Sequence, residues 1–225
     1  DRLTQLDEYK IEILKKITPS FGETAVPVDL FDTEIPSVFA LKIKKQFDDP
    51  ILTGWSVVGF FNSNLTQEVE KKLSVQRLWL DANKTYLAFD FWKQKFIGEV
   101  SGEIKVTLEP GSVTLLALHE KSGKPQFIST DRHVLQDAIE IEKANWNENA
   151  KTFSGISTGP LNSSHNVYVY IPESHEWTWS GGPDIFHDYD SYSLRLVEEH
   201  IIQVHIRFEK SEKVIWEIKY DEFFK

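Results

Sequence analysis

The sequence predicts an all-β protein: two antiparallel β-sandwich domains preceded by one N-terminal amphipathic helix. Three observations carry that expectation. Short apolar runs, several alternating strictly with polar residues, recur along the chain between Gly, Pro and charged turn segments. Only one segment spaces its apolar residues as a helix does. Aromatic residues make up 13% of the chain, with 15 Phe, 7 Trp and 7 Tyr, and large rings pack well on pleated, half-buried surfaces.

The helix comes first. Leu3, Leu6, Tyr9, Ile13, Leu14 and Ile17 recur at helical spacing, with acidic residues early and Lys15 and Lys16 late, as the helix dipole favours. Pro19 and Gly22 end it, so residues 1–22 form a segment of their own. An extended stretch follows from Pro27 to Ile35. Strands are then expected at Val38–Phe47, Trp55–Phe61, Ser74–Leu80, Tyr86–Trp92, Glu103–Leu108 and Val113–His119. Ser56–Phe61 is almost wholly apolar, as in a strand buried on both faces. Pro110-Gly111 is a turn dipeptide, which predicts a hairpin between the last two of these strands. Glu120–Pro125 is polar and carries Gly123 and Pro125, and it marks the boundary between a first domain at 23–121 and a second at 122–225. In the second, strands are expected at Ile139–Trp146, Thr152–Ser157, Val167–Ile171, Tyr192–Val197, Ile201–Phe208 and Val214–Tyr220, the last two as a terminal hairpin. Strands joined by short turns without intervening helices argue for antiparallel sandwiches.

Composition narrows the function. A formal charge of −10 argues against nucleic-acid binding, which needs clustered Lys and Arg. The absence of cysteine excludes disulfides, thiolate metal sites and thiol catalysis. No apolar run approaches the roughly 18 residues of a membrane span, so no membrane partner is expected. The chain also lacks methionine, and Asp1 is expected to mark a processed terminus or an internal boundary.

Several strings, in order, carry a resemblance. They are Arg2–Pro19 (RLTQLDEYKIEILKKITP), Ala25–Phe31 (AVPVDLF), Gly54–Asn62 (GWSVVGFFN), Tyr86–Gly98 (YLAFDFWKQKFIG), Leu108–Leu118 (LEPGSVTLLAL) and Ile128–Leu135 (ISTDRHVL). Over roughly residues 2–155 the chain resembles the region that follows the catalytic barrel in alpha-galactosidase and melibiase-like glycoside hydrolases, relatives of raffinose synthase among them. The resemblance implies that the Leu3–Ile17 helix is the tail of a barrel or the joint onto it, and that the β region is the sandwich that follows. Its catalytic carboxylates sit on the barrel, so none is carried over. The expectation is a non-catalytic accessory region whose partner is an upstream barrel of the same chain, with carbohydrate contact as an added role.

The residues that suggest chemistry also have plainer uses. Asp131, Arg132 and His133 pair an acid–base cluster with no visible nucleophile, and a structural corner is the favoured reading. Asp90 sits between Phe89 and Phe91, where it can cap a loop as well as serve as one of two facing carboxylates. Trp177 and Trp179 alternate, so in a strand both indoles share a face. With Asp184 and His187 they compose the candidate carbohydrate-binding set, and they support an alternative reading as a stand-alone carbohydrate-binding or lectin-like sandwich. Core packing is the plainer role for both rings. Asp184, Asp188 and Asp190 offer oxygen ligands for calcium without the spacing of a known loop. The seven histidines form no metal-ligand pattern, so neither metal nor cofactor is expected, and most are expected at the surface. Sequons at Asn64, Asn83 and Asn162 arise by chance at this length.

Overall fold

The computed structural model describes residues 5–19, 24–46, 53–136, 138–172 and 186–219. Helix α1 spans Glu8–Ile17 and starts later than its apolar spacing suggests, because Asp7 caps it: the carboxylate accepts the Lys10 N–H at 2.9 Å. Glu8 opens the helix, Lys15 and Lys16 close it, and none of its ten residues is buried.

The first half contributes β1 (Val26–Pro27), β2 (Val38–Gln46), β3 (Thr53–Phe61), β4 (Val69–Ser74), β5 (Tyr86–Asp90), β6 (Lys95–Val100), β7 (Glu103–Leu108) and β8 (Val113–Glu120). Six of them form one antiparallel sheet in the order β1-β2-β3-β8-β5-β6. The other two, β4 and β7, make a separate ladder that packs over it. Val38, Ala40, Val58, Phe60, Leu116 and Leu118 of the sheet meet Leu73, Ile104 and Leu108 of the ladder. Val75 and Leu78, from a short 3-10 helix at Val75–Leu78, complete this cluster.

The second half contributes β9 (Gln126–Thr130), β10 (Ile141–Asn147), β11 (Thr152–Thr158), β12 (Ser164–Tyr170), β13 (Phe186–Asp188), β14 (Tyr192–Glu198), β15 (Ile201–Arg207) and β16 (Lys213–Lys219). A five-stranded sheet, β13-β14-β15-β12-β9, faces a three-stranded one, β10-β11-β16. Val167, Val169, Leu194, Ile202 and Val204 pack against Trp146, Phe153 and Trp216. Gly155 pairs with Trp216 in register, and a Cβ there would lie 2.2 Å from the indole. Glycine is what lets that ring lie flat on the sheet.

The two halves touch through apolar side chains. Leu87 and Phe89 on β5 cluster with Ile128, Tyr168, Tyr170 and Ile201. Trp55 on β3 donates from Nε1 to the Leu135 carbonyl at 3.2 Å and packs edge-on against Phe127 at 5.6 Å. The described residues therefore stack as four β layers: ladder, six-stranded sheet, five-stranded sheet, three-stranded sheet.

The all-β class and the single N-terminal helix agree with the sequence reading, and four local expectations do not, the first being the extended stretch at Pro27–Ile35, where residues 28–35 run through turns and bends. The strand expected at Ser74–Leu80 ends at Ser74, whose hydroxyl instead caps the 3-10 helix. β7 does not form a hairpin with β8: it pairs with β4, while β8 lies between β3 and β5. The Pro110-Gly111 turn thus carries the chain from one layer to another. The last two strands likewise part company, β15 joining β12 and β14 while β16 joins β11. A turn fixes a change of direction, and burial of both flanking apolar faces decides which sheet receives each strand.

Candidate functional site

The corner at Asp131–His133 holds strands together. The Asp131 carboxylate accepts the Asn166 backbone N–H at 2.8 Å and its side-chain amide at 2.6 Å. The Asn166 side-chain oxygen Oδ1 in turn lies 2.9 Å from His205 Nδ1. Arg132 donates to the Ser163 hydroxyl at 3.3 Å. His133 is buried and accepts the Leu135 N–H through Nδ1 at 3.3 Å. Burial lowers its pKa, against the backbone of Thr18 and Pro19, which favours the charged form. Asp131 and Arg132 reach the start of β12 while His133 turns back on its own loop, so the three side chains do not converge on a reacting atom.

The same corner anchors α1. Lys16 donates to the Asp131 carbonyl at 2.6 Å, its own carbonyl accepts the Val134 N–H at 3.0 Å, and its ammonium lies 5.2 Å from the centroid of Phe91. Between helix and corner opens a cleft of about 760 Å³, lined by Glu12, Lys16, Arg132, His133, Glu140 and Ser163 among others. Tyr9 and Ile17 stay exposed on the helix, at 74% and 46%.

Asp90 is a loop cap. It is buried, and its carboxylate accepts the N–H groups of Trp92 and Lys93 at 3.0 and 3.2 Å. Trp177, Trp179 and Asp184 lie outside the described residues, and of His187 only the backbone pairing with Leu194 is described. Of the three aspartates considered for calcium, Asp184 lies outside the described residues and Asp188 is described in its backbone alone. Asp190 is exposed, 3.8 Å from the Lys210 ammonium. Among the described residues no group of three or more His, Asp or Glu side chains is placed to hold a metal ion. Histidines depart from expectation: His119, His133 and His165 are buried. On β8, His119 shares the face of Leu115 and Ala117, so strand alternation takes it inside.

A second cleft, of about 410 Å³, opens at one end of the first half. Its floor is a row of cross-strand neighbours, Lys42–Ser56–Leu118, continued by the pair Glu120–Tyr86. Its wall is Trp79, Leu80 and Asp81, which follow the 3-10 helix. Trp79 has left-handed backbone, φ 57 and ψ 29, and its N–H closes the helix on the Gln76 carbonyl at 3.0 Å, while the Leu80 N–H bonds the Val75 carbonyl. Glycine is the usual residue at such a closure. The indole is 57% exposed. The Tyr86 hydroxyl donates to the Asp81 carbonyl at 3.1 Å, and Lys84 grips Glu120 at 2.8 Å. Trp79 was not singled out in the sequence, although a Trp beside the polar run Asp81–Lys84 is the local signal for it.

No family model matches the sequence, and no curated protein matches it. Among solved structures, alpha-galactosidase I from Mortierella vinacea aligns at 16% identity with a TM-score of 0.33, covering 44% of this chain and 23% of that one. The aligned part is thus less than a quarter of the other protein.

Proposed function

We propose that the chain is a non-catalytic accessory β region of a glycoside hydrolase of the alpha-galactosidase type, held against an upstream catalytic barrel through α1. The observation that carries this reading is the helix. It is fixed by Lys16 to the Asp131 corner, yet none of its residues is buried, and Tyr9 and Ile17 remain open. A helix anchored in place with Tyr9 and Ile17 open and Ile11, Ile13 and Leu14 only half-buried among the described residues is suited to receive a neighbour. The ordered strings from Arg2 to Leu135 support the barrel as that neighbour, and the capping duties of Asp90 and Asp131 fit a region that does no chemistry.

The test compares the same substitutions in two settings. Tyr9→Ser and Ile17→Ser should shift the stability of the chain on its own by no more than about 0.5 kcal/mol, as exposed positions do. In the protein joined to the polypeptide encoded upstream, both should destabilise measurably. Equal silence in both settings overturns the reading, as does hydrolysis of aryl α-galactosides by this chain alone.

A further inference from the structure

We infer that the cleft walled by Trp79 is a binding site for a short neutral saccharide, with the indole as its stacking surface. The site is built wholly within this chain and does not rest on the identity of a parent protein.

Four features carry the inference. First, the indole is more than half exposed and held in left-handed backbone, a conformation costing an L-residue roughly 1–2 kcal/mol. Backbone in sparsely populated regions clusters at ligand clamps and active sites, and here it holds an open ring over a cleft. Second, the cleft carries both signs of charge: Lys42 and Lys44 line it together with Asp81 and Glu120, the last already paired with Lys84. Hydroxyl groups can use both a lysine donor and a carboxylate acceptor there. Third, hydrogen-bonding capacity remains. The Lys42 ammonium has no ion-pair or hydrogen-bond partner among the described residues, and Asp81 engages Asn83 through Oδ1, leaving Oδ2 open. Fourth, the floor strands β3, β8 and β5 are paired on both sides, whereas β2 meets β1 only at Phe39 and Ala40. The middle of the floor therefore offers side chains and an aromatic face rather than a strand edge. Its volume falls within the roughly 300–1,000 Å³ usual for small-molecule sites.

An aromatic plane with donors and acceptors at its margin suits a pyranose. The C–H face lies on the indole while the equatorial hydroxyls reach Lys42 and Asp81. The proposed test is titration calorimetry of the whole chain against short neutral gluco-, manno- and galacto-oligosaccharides, with an acidic oligosaccharide as control. At least one neutral saccharide should bind. Trp79→Gly should weaken that binding at least tenfold without lowering the melting temperature, because glycine accepts the backbone conformation. Lys42→Ala should weaken it several-fold. No heat with any neutral saccharide overturns the inference. So does undiminished binding by Trp79→Gly, or preference for the acidic ligand. A barrel found upstream, or its absence, changes none of these outcomes.

Discussion

Replacing His119 with Phe should flatten the acid side of the stability profile. His119 is 4% exposed, stacked on Trp55 at 5.1 Å and edge-on to Phe127 at 5.2 Å. Burial among these rings lowers its pKa to about 3, against a smaller opposing pull from the Ile128 backbone. In the unfolded chain the same imidazole titrates near 6.5. As pH falls through 6.5 the unfolded state takes up a proton that the folded state refuses until near pH 3, so native stability drops throughout that window. The slope is about 1.4 kcal/mol per pH unit, and between pH 8 and 4.5 this one group removes about 2.7 kcal/mol. Phe keeps a ring in the stack and abolishes the titration, at a cost of about 1 kcal/mol for the lost backbone hydrogen bond at every pH. The variant should therefore be less stable than the parent at pH 8 and more stable at pH 4.5. Calorimetric melting across that range should show the two curves crossing, since 2.7 kcal/mol corresponds to roughly 5–11 °C for a chain of this size. His165, also held to about 3 by burial, leaves a similar slope in the variant. Parallel curves would refute the reasoning, because they require a native imidazole that protonates as freely as an unfolded one.

Three further outcomes test the packing. Gly155→Ala places a Cβ 2.2 Å from the Trp216 ring, and overpacking of this kind should cost about 1–3 kcal/mol in denaturant melts, with the loss partly recovered by Trp216→Phe. Asp29→Ala removes a buried carboxylate that accepts the Ser37 N–H, the Ser37 hydroxyl and the Val38 N–H, and should cost about 2–3 kcal/mol by the same assay. Asp131→Ala strips two hydrogen bonds from Asn166 and should cost about 2 kcal/mol. A loss below 0.5 kcal/mol for Asp131→Ala, measured by urea unfolding, would mean that the corner does not hold the strands.

The class of fold was legible because alternation survives locally. Phe39, Leu41 and Ile43 oppose Ala40, Lys42 and Lys44 on β2, and the nearly unbroken apolar run of β3 announced a central strand. Partner choice was not legible. β7 reads as a sound half of a hairpin, since Ile104 and Leu108 alternate with Lys105 and Thr107, but that pattern is equally served by pairing with β4. β4, read as VEKKLS, offers one fully buried residue, Leu73, and gave no apolar run to detect. The buried histidines escaped for a related reason. A His on a strand reads as polar, yet His119 and His165 occupy inward positions fixed by their neighbours. Asp131 and Asp90 looked equally chemical in the sequence. Only the positions of the backbone N–H groups they accept from distinguish caps from catalysts.

The placement of the two clefts bears on how the proposed roles combine. β5 runs from Tyr86, in the floor of the Trp79 cleft, to Asp90, and the next residue, Phe91, receives the Lys16 ammonium of α1. At about 3.3 Å per residue the two features sit roughly 17 Å apart along one rigid strand. They also use different faces of the six-stranded sheet. The cleft floor, Lys42–Ser56–Leu118, lies on the side of the β4–β7 ladder, whereas Leu87 and Phe89 turn the other side toward the second half. A neighbour seated on α1 therefore approaches from the end of β5 remote from Trp79. The two proposed contacts therefore draw on different residues and on different faces of the sheet.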